Sequence, residues 1–239
     1  MEDMLWKFPH VGEQIFKKLS NKNLAKSKKV ARTWEYFIAN EKFYEQKVHY
    51  ETKQKEKDEL GRTSFHKAAE EGKFSECKLI IDNVEDKNPQ DSNGCTPLHF
   101  AALNGHLSVC QLMIKNVEDK NPQNIPGTTP LHCAVFNGHL SICQLIINNV
   151  EDKNPKNNNG VTSLHTAAFV GHFEIFKLIF ENVEDKNPPN SENLTPLNYA
   201  ARKGHLKICD YIIIKVEDKN LGFNSKKIFN NDLLEQAEY

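Results

Sequence analysis

Histidine and cysteine are the residues of this 239-residue chain best suited to metal binding, acid–base chemistry or nucleophilic chemistry; it has ten of the first and six of the second. A metal or catalytic site would need several of these side chains within a few ångströms of one another. Eight histidines instead fall into two sets with a spacing of 33 residues: His66, His99, His132 and His165, and His106, His139, His172 and His205. Four cysteines also recur at intervals of 33 residues, except that one position of the series holds another residue: Cys77, Cys110, Cys143 and Cys209.

The 33-residue period extends to the rest of the chain and predicts a tandem array of stacked structural units. Glycine recurs at Gly72, Gly105, Gly138, Gly171 and Gly204, and the phrase VEDKN begins at Val84, Val117, Val150, Val183 and Val216. In such a stack, equivalent residues lie about 10 Å apart, too far to share a metal ion. We therefore expect the histidines to hydrogen-bond between neighbouring repeats, and the four cysteines to be small buried apolar groups rather than disulfide partners.

Five segments between these markers resemble the ankyrin repeat signature TPLHxAAxxGH: GRTSFHKAAEEG, GCTPLHFAALNG, GTTPLHCAVFNG, GVTSLHTAAFVG and NLTPLNYAARKG. The resemblance implies pairs of helices in repeats 57–89, 90–122, 123–155, 156–188 and 189–221. Threonine at the start of each signature can cap the inner helix, and proline suits its first position. Where the family has glycine after the outer helix, this chain has valine. We expect the preceding asparagine to take the left-handed cap: Asn83, Asn116, Asn149 and Asn182.

Residues 1–48 lack the period, and the segment FPHVGEQIFKKLSNKNLAKSKKVARTWEYFIANEKFYEQK resembles the F-box. The departures are Phe8 in place of leucine and Ala31 in place of serine. The resemblance implies a three-helix module that docks on the Skp-type linker of a cullin–RING (SCF-type) ubiquitin ligase. The expected contacts are Phe8, Pro9, Ile15, Phe16, Leu19, Leu24, Val30 and Trp34. Alternatively, these helices cap the N-terminal edge of the stack.

Ankyrin stacks bind proteins on their concave side, so the resemblance also implies a groove for a client protein or peptide. Its expected residues are Glu70, Glu71, Leu103, Asn104, Phe136, Asn137, Phe169, Val170, Arg202 and Lys203. Turn tips flank them at Arg62, Cys95, Thr128, Val161 and Leu194. The groove is therefore expected to be acidic at the first repeat, apolar in the middle and basic at the fifth. Alternatively, Phe136 and Phe169 pack against neighbouring inner helices.

Composition argues against several other classes of protein. The 31 basic and 32 acidic residues nearly balance, which gives no bulk attraction to nucleic acid or membrane surfaces. No apolar run approaches about 18 residues, and the start MEDMLWKFPH lacks a signal-peptide pattern. We therefore expect a cytoplasmic or nuclear protein. Outside the repeats there is no nucleophile–base pair, phosphate-binding loop or metal-ligand spacing, so no enzyme activity, cofactor or metal is expected.

The sequence thus predicts an all-α protein with four segments: an F-box-like module at 1–48, a linker at 49–56, an α-solenoid of five 33-residue repeats at 57–221, and a C-terminal capping helix within 222–239. The predicted function is that of a substrate-recruiting ubiquitin ligase adaptor. The alternative is an ankyrin scaffold or inhibitor with no role in ubiquitin transfer.

Overall fold

A computed structural model of the chain describes residue 49 and residues 56–217. Ten helices lie in the second range, in five consecutive pairs. The inner helices are α1 (Ser64–Glu70), α3 (Pro97–Leu103), α5 (Pro130–Phe136), α7 (Ser163–Val170) and α9 (Pro196–Arg202). The outer helices are α2 (Phe74–Asn83), α4 (Leu107–Asn116), α6 (Leu140–Ile147), α8 (Phe173–Asn182) and α10 (Leu206–Glu217).

The predicted all-α class is confirmed across the described residues, where the only extended pairing is a single bridge between Lys156 and Thr162. None of the described helices is long and apolar enough to cross a membrane. The F-box-like module at 1–48 and the capping helix at 222–239 lie outside the described residues, as does nearly all of the linker. Those segment boundaries stay predictions.

Each inner helix begins with the threonine that the sequence predicts. In all five, threonine is the N-cap residue, and its hydroxyl and the side chain at the third helical position form a reciprocal capping box. Proline occupies the first helical position of α3, α5 and α9, where no backbone donor is lost. The caps therefore fix where each inner helix starts, and so fix the register of every side chain along it.

The histidine in the capping box also joins each repeat to the next. The backbone N–H of Thr96 donates to Nδ1 of His99 at 3.0 Å, so the ring proton is on Nε2, which donates to the carbonyl of Thr128 at 3.0 Å. The same link runs from His66 to Cys95, from His132 to Val161, and from His165 to Leu194. The predicted hydrogen bonding between repeats is thereby confirmed for this set.

Three rings of the second histidine set link the repeats in the opposite direction. Nε2 of His106 bonds the carbonyl of Glu70, that of His139 bonds Leu103, and that of His205 bonds Phe169. These rings lie against glycines with positive φ; a Cβ at Gly105, where φ is 80°, would come within 2.6 Å of Cε1 of His139. Glycine is needed there both for its backbone conformation and for the space it leaves.

Small residues bring the inner helices close together. One alanine of each signature is fully buried between neighbouring inner helices: Ala68, Ala101, Ala134, Ala167 and Ala200. The outer helices contribute most of the larger apolar side chains of the core and contact one another less extensively. Cys77, Cys110 and Cys143 are buried among them as free thiols, and burial raises the pKa of each to about 12. The prediction that they serve as small buried apolar groups is confirmed for these three, whereas Cys209 is only partly buried.

The turns between repeats are tied to each other by backbone and side-chain hydrogen bonds. The N–H of Ile125 donates to the carbonyl of Asn93 at 2.9 Å, and equivalent bonds join the other neighbouring turns. Within each turn, an Asp or Asn carboxyl or carboxamide oxygen accepts the N–H of the tip residue, as Asp91 does from Cys95 at 2.8 Å. The VEDKN asparagines have a related role, since Oδ1 of Asn121 accepts the N–H of Leu131.

The expectation that Asn83, Asn116, Asn149 and Asn182 take a left-handed cap is wrong. Among the described residues, the only non-glycine residue with positive φ is Asn193, which replaces glycine in the fifth turn. Each of the four asparagines instead folds its side chain back, and Nδ2 donates to the carbonyl four residues earlier at 2.7–2.8 Å. The helix can therefore end into an extended valine without any residue at positive φ.

Burial of the capping-box histidines should make the stability of the stack depend on pH. Burial lowers the pKa of His99 and of His132 to about 4 from 6.5, so the unfolded chain binds more protons than the folded chain between these values. The free energy of unfolding should fall as pH drops through that window, by roughly 3 kcal/mol for each ring by pH 4.

A His99→Asn/His132→Asn variant tests this assignment. Asn198 already caps Thr195 in the fifth repeat, so asparagine should keep the cap while it cannot take up a proton. Urea denaturation at several pH values should show a lower stability at pH 7.5 and a shallower decline toward pH 4.5. A decline as steep as that of the wild type would contradict the assignment.

Candidate binding groove

The inner helices and turn tips form one continuous surface, which we call the groove. It has three rows: the tip row Arg62, Cys95, Thr128, Val161 and Leu194; the floor row Lys67, Phe100, Cys133, Thr166 and Tyr199; and the rim row Glu70, Leu103, Phe136, Phe169 and Arg202 with the residue after each. Contacts join the rows, because the Arg62 guanidinium lies 4.7 Å from the centre of the Phe100 ring and 2.9 Å from the Glu70 carboxylate.

The floor row was missed in the sequence reasoning, although the sequence contains a signal for it. Each floor residue precedes its rim residue by three positions, so the two lie on the same face of an inner helix. Phe100 and Tyr199 are only partly buried, and each lies edge-on to a capping-box histidine of the preceding repeat. The rings of this row therefore add aromatic surface below the predicted rim.

The middle of the rim row is apolar and exposed to solvent. Leu103 is 40% exposed, Phe136 54% and Phe169 39%. Phe169 has close neighbours, since its ring centre lies 6.1 Å from that of Tyr199 and 4.4 Å from the ammonium of Lys203. The alternative that these rings pack against the next repeat therefore describes Phe169 in part, while more than half of Phe136 faces solvent.

The first-repeat end of the groove is not the free acidic patch that the sequence suggests. The Glu70 carboxylate pairs with Arg62, and the Glu71 carboxylate pairs with Lys73. Lys67 on the floor pairs with Asp58 at 3.2 Å. Each negative charge is matched by a neighbouring positive charge, so this end of the groove is close to neutral overall.

The fifth-repeat end is basic, as predicted. Arg202 and Lys203 are both exposed, and neither forms an ion pair with a residue that the structure describes. The three rows hold no other charged residue in repeats two to five. The carboxylate nearest to this pair along the chain is Asp210, which follows Lys203 by seven residues and belongs to the outer helix α10. The rows therefore combine an apolar middle with one cationic end.

Two rim asparagines offer unoccupied hydrogen-bond acceptors beside the apolar row. Nδ2 of Asn104 donates to the carbonyl of Phe100 at 3.0 Å, and Nδ2 of Asn137 donates to that of Cys133 at 3.2 Å. Both side chains are exposed, and Oδ1 of each has no donor among the described residues. The two carboxamides are thus held by their own helix through Nδ2, which leaves Oδ1 of each able to accept a bond from a ligand.

The chemistry of the groove suits binding better than catalysis. Burial raises the pKa of the Cys133 thiol to about 12 and also raises that of Cys95, so neither supplies a thiolate near neutral pH. Within the described part of the chain, no three His, Cys, Asp or Glu side chains are grouped to hold a metal ion. The predicted groove residues lie at or just after the C-terminal ends of the five inner helices, whereas those predicted to contact the Skp-type linker lie outside the described residues.

Comparison with known proteins identifies the repeats. A family model described as ankyrin repeats (3 copies) matches residues 34–124, 65–157, 102–190 and 131–223, windows that together span most of the chain. The first window begins at Trp34, inside the segment that resembles the F-box, and the matches include no F-box model. No curated protein matches the chain.

The exposure of the rim rings gives a stability prediction. Phe136→Ala should change the free energy of unfolding by less than about 0.5 kcal/mol, as expected for an exposed site. Phe169→Ala should cost about 1 kcal/mol, because it loses the contact with Tyr199. The matched control is Leu131→Ala in the same inner helix as Phe136, which removes a fully buried side chain and should cost roughly 2–5 kcal/mol. Urea denaturation that placed Phe136→Ala near Leu131→Ala would contradict an open groove.

Proposed function

Since the chain belongs to the ankyrin repeat family, whose members are generally non-enzymatic scaffolds that bind protein partners, we propose that it is an adaptor that holds a client protein in its groove. The observation that carries this proposal is the exposed apolar row formed by Leu103, Phe136 and Phe169. Contiguous apolar surface on a soluble protein usually marks a site of interaction, and aromatic anchors ringed by polar groups are typical of binding hot spots.

The stack supplies a rigid base for such anchors. Histidine hydrogen bonds run forward and backward between repeats, so each rim residue is held in register with those on either side. A preorganised surface loses less conformational entropy when a partner binds. A client would therefore meet side chains already in place, and we expect the fold to change little when the client is bound.

The N-terminal segment extends this proposal to ubiquitin transfer. Phe8, Pro9 and Ile15 lead a pattern that resembles the F-box, which implies docking on the Skp-type linker of a cullin–RING ligase. The adaptor would then act by proximity, since a bound client has a high effective concentration near the ubiquitin-carrying enzyme. Support for this extension rests on that resemblance alone.

A scaffold without any role in ubiquitin transfer is the second candidate function. The ankyrin match that begins at Trp34 favours it, because about the last third of the F-box-like segment then continues into the repeats. In that case residues 1–48 would serve to cap the stack, and the groove would be the only binding surface of the protein. The two functions differ in one partner, which can be tested directly.

Groove binding can be tested without knowledge of the client. Random twelve-residue peptides displayed on phage and selected against the full chain should yield binders that are lost in the Phe136→Ala/Phe169→Ala variant. Each ring should contribute roughly 2 kcal/mol if it is an anchor. Lys207→Glu, on an outer helix, is the control and should keep the same binders. Selected peptides that bind the double variant equally well would rule out this groove.

Docking on the ligase needs a separate experiment. Purified Skp-type linker should form a complex with the wild-type chain during size-exclusion chromatography, and Pro9→Ala/Ile15→Asp should abolish that complex. Peptide binding in the groove should survive the same substitutions, because the repeats have their own core. The absence of a complex with the wild type would leave only the scaffold function.

A further inference from the structure

The groove presents its binding groups at a regular interval. One rim residue comes from each inner helix, and packed helices lie about 8–10 Å apart. Leu103, Phe136, Phe169 and Arg202 therefore form a ladder with one step for each repeat. A ligand that contacts several steps must repeat its own side chains at the same interval.

A polyproline II segment fits this interval. It has three residues per turn and a rise of about 3.1 Å, so every third side chain points the same way at a spacing of about 9 Å. A β-strand places side chains on one face about 7 Å or about 13 Å apart, and neither distance matches the ladder. An α-helix returns to the same face after seven residues, or about 10.5 Å, which comes closer.

The rim asparagines distinguish the polyproline II segment from the α-helix. Asn104 and Asn137 are exposed, each directly follows an apolar step, and Oδ1 of each can accept a bond from a ligand N–H. An α-helix uses nearly all of its backbone N–H groups internally, whereas a polyproline II segment leaves them free. The acceptors therefore favour an extended ligand.

The charge of the groove sets the character of one end of the ligand. At the first repeat, Glu70 and Glu71 are already paired with neighbouring cations. In repeats two to five, the three rows hold no charged residue except Arg202 and Lys203. An acidic residue that reaches the fifth step would gain a favourable interaction with this cationic pair. A basic residue at that step would be repelled.

We infer that the groove takes an extended peptide with large apolar residues at every third position over three steps and a carboxylate three residues beyond them. This inference rests on the proposed function, because it specifies what the same groove would hold. The client class is thus a linear segment in a polyproline II conformation, and the recognition element spans about ten residues.

The peptides selected on the full chain test the spacing. Those that lose binding in the Phe136→Ala/Phe169→Ala variant should be enriched in apolar residues three apart, followed or preceded by Asp or Glu three residues further on. Enrichment at intervals of two or of seven would overturn the inference and leave groove binding intact. If no selected peptide depends on the two rings, the proposed groove and the spacing both fail.

A charge reversal tests the acidic end. In fluorescence polarisation with one selected peptide, Arg202→Glu should weaken binding about tenfold, and a peptide with Lys in place of the acid should recover it. Lys207→Glu makes the same change of charge on an outer helix and should leave the affinity unchanged. An equal loss in the two variants, or no recovery with the Lys peptide, would overturn the acidic position.

Discussion

The hydrogen bond from a buried neutral imidazole to the carbonyl of the next repeat is the interaction on which the rest of the structure depends. In the link from His99 to Thr128, one ring satisfies the start of its own helix and the tip of the next turn. The bond needs the proton on Nε2, and that tautomer is set by the threonine N–H on the other side of the ring. Capping and stacking are therefore combined in one ring in the first four repeats, whereas Asn198 caps the fifth repeat without a ring for the second bond.

The groove follows from this link. A histidine from the preceding repeat holds the tip carbonyl of each of repeats two to five, so every one of these tips is tied to the inner helix before it. The fully buried alanines then let the inner helices approach closely, which brings the rim residues into a row. The identities of those residues vary from repeat to repeat, while the positions that hold them hardly change. A scaffold of this kind separates the residues that determine the fold from those that determine what it binds.

The period and the local chemistry of the sequence account for most of the fold. The start of an inner helix, as at Thr96 and Pro97, follows from local capping chemistry. The burial of the thiols and the pairing of the histidines follow from the neighbours that a 33-residue repeat brings together. The wrong expectation for Asn83 arose because two local solutions exist for a helix end. A side-chain bond to the carbonyl of Leu79 made a left-handed residue unnecessary, and composition does not distinguish these solutions.

The groove was less predictable than the fold. Its rim residues were identified from their register, but the pairing of Arg62 with Glu70 depends on side-chain conformation across eight residues, and it neutralises an end that appears acidic in the sequence. The aromatic floor at Phe100 and Tyr199 has a simple helical spacing from the rim that the sequence reasoning did not use. Residues 1–48 could be interpreted only by their resemblance to the F-box, because a degenerate pattern of apolar residues fits both a docking module and a cap at the edge of the stack.

Each of the two histidine sets lacks a member at one end of the described array, and the two ends differ. Lys73 stands in the first unit where the other units have the backward-reaching ring, and Asn198 stands in the fifth where the others have the forward-reaching one. Above Gly204, no described atom lies within 4 Å of the position of a Cβ. Among the five described units, the second, third and fourth carry both rings, so a duplicated interior unit would supply both histidine positions to the joints with its neighbours. Each interior unit added in this way would add one step to the rim, and so three residues to the ligand inferred for the groove.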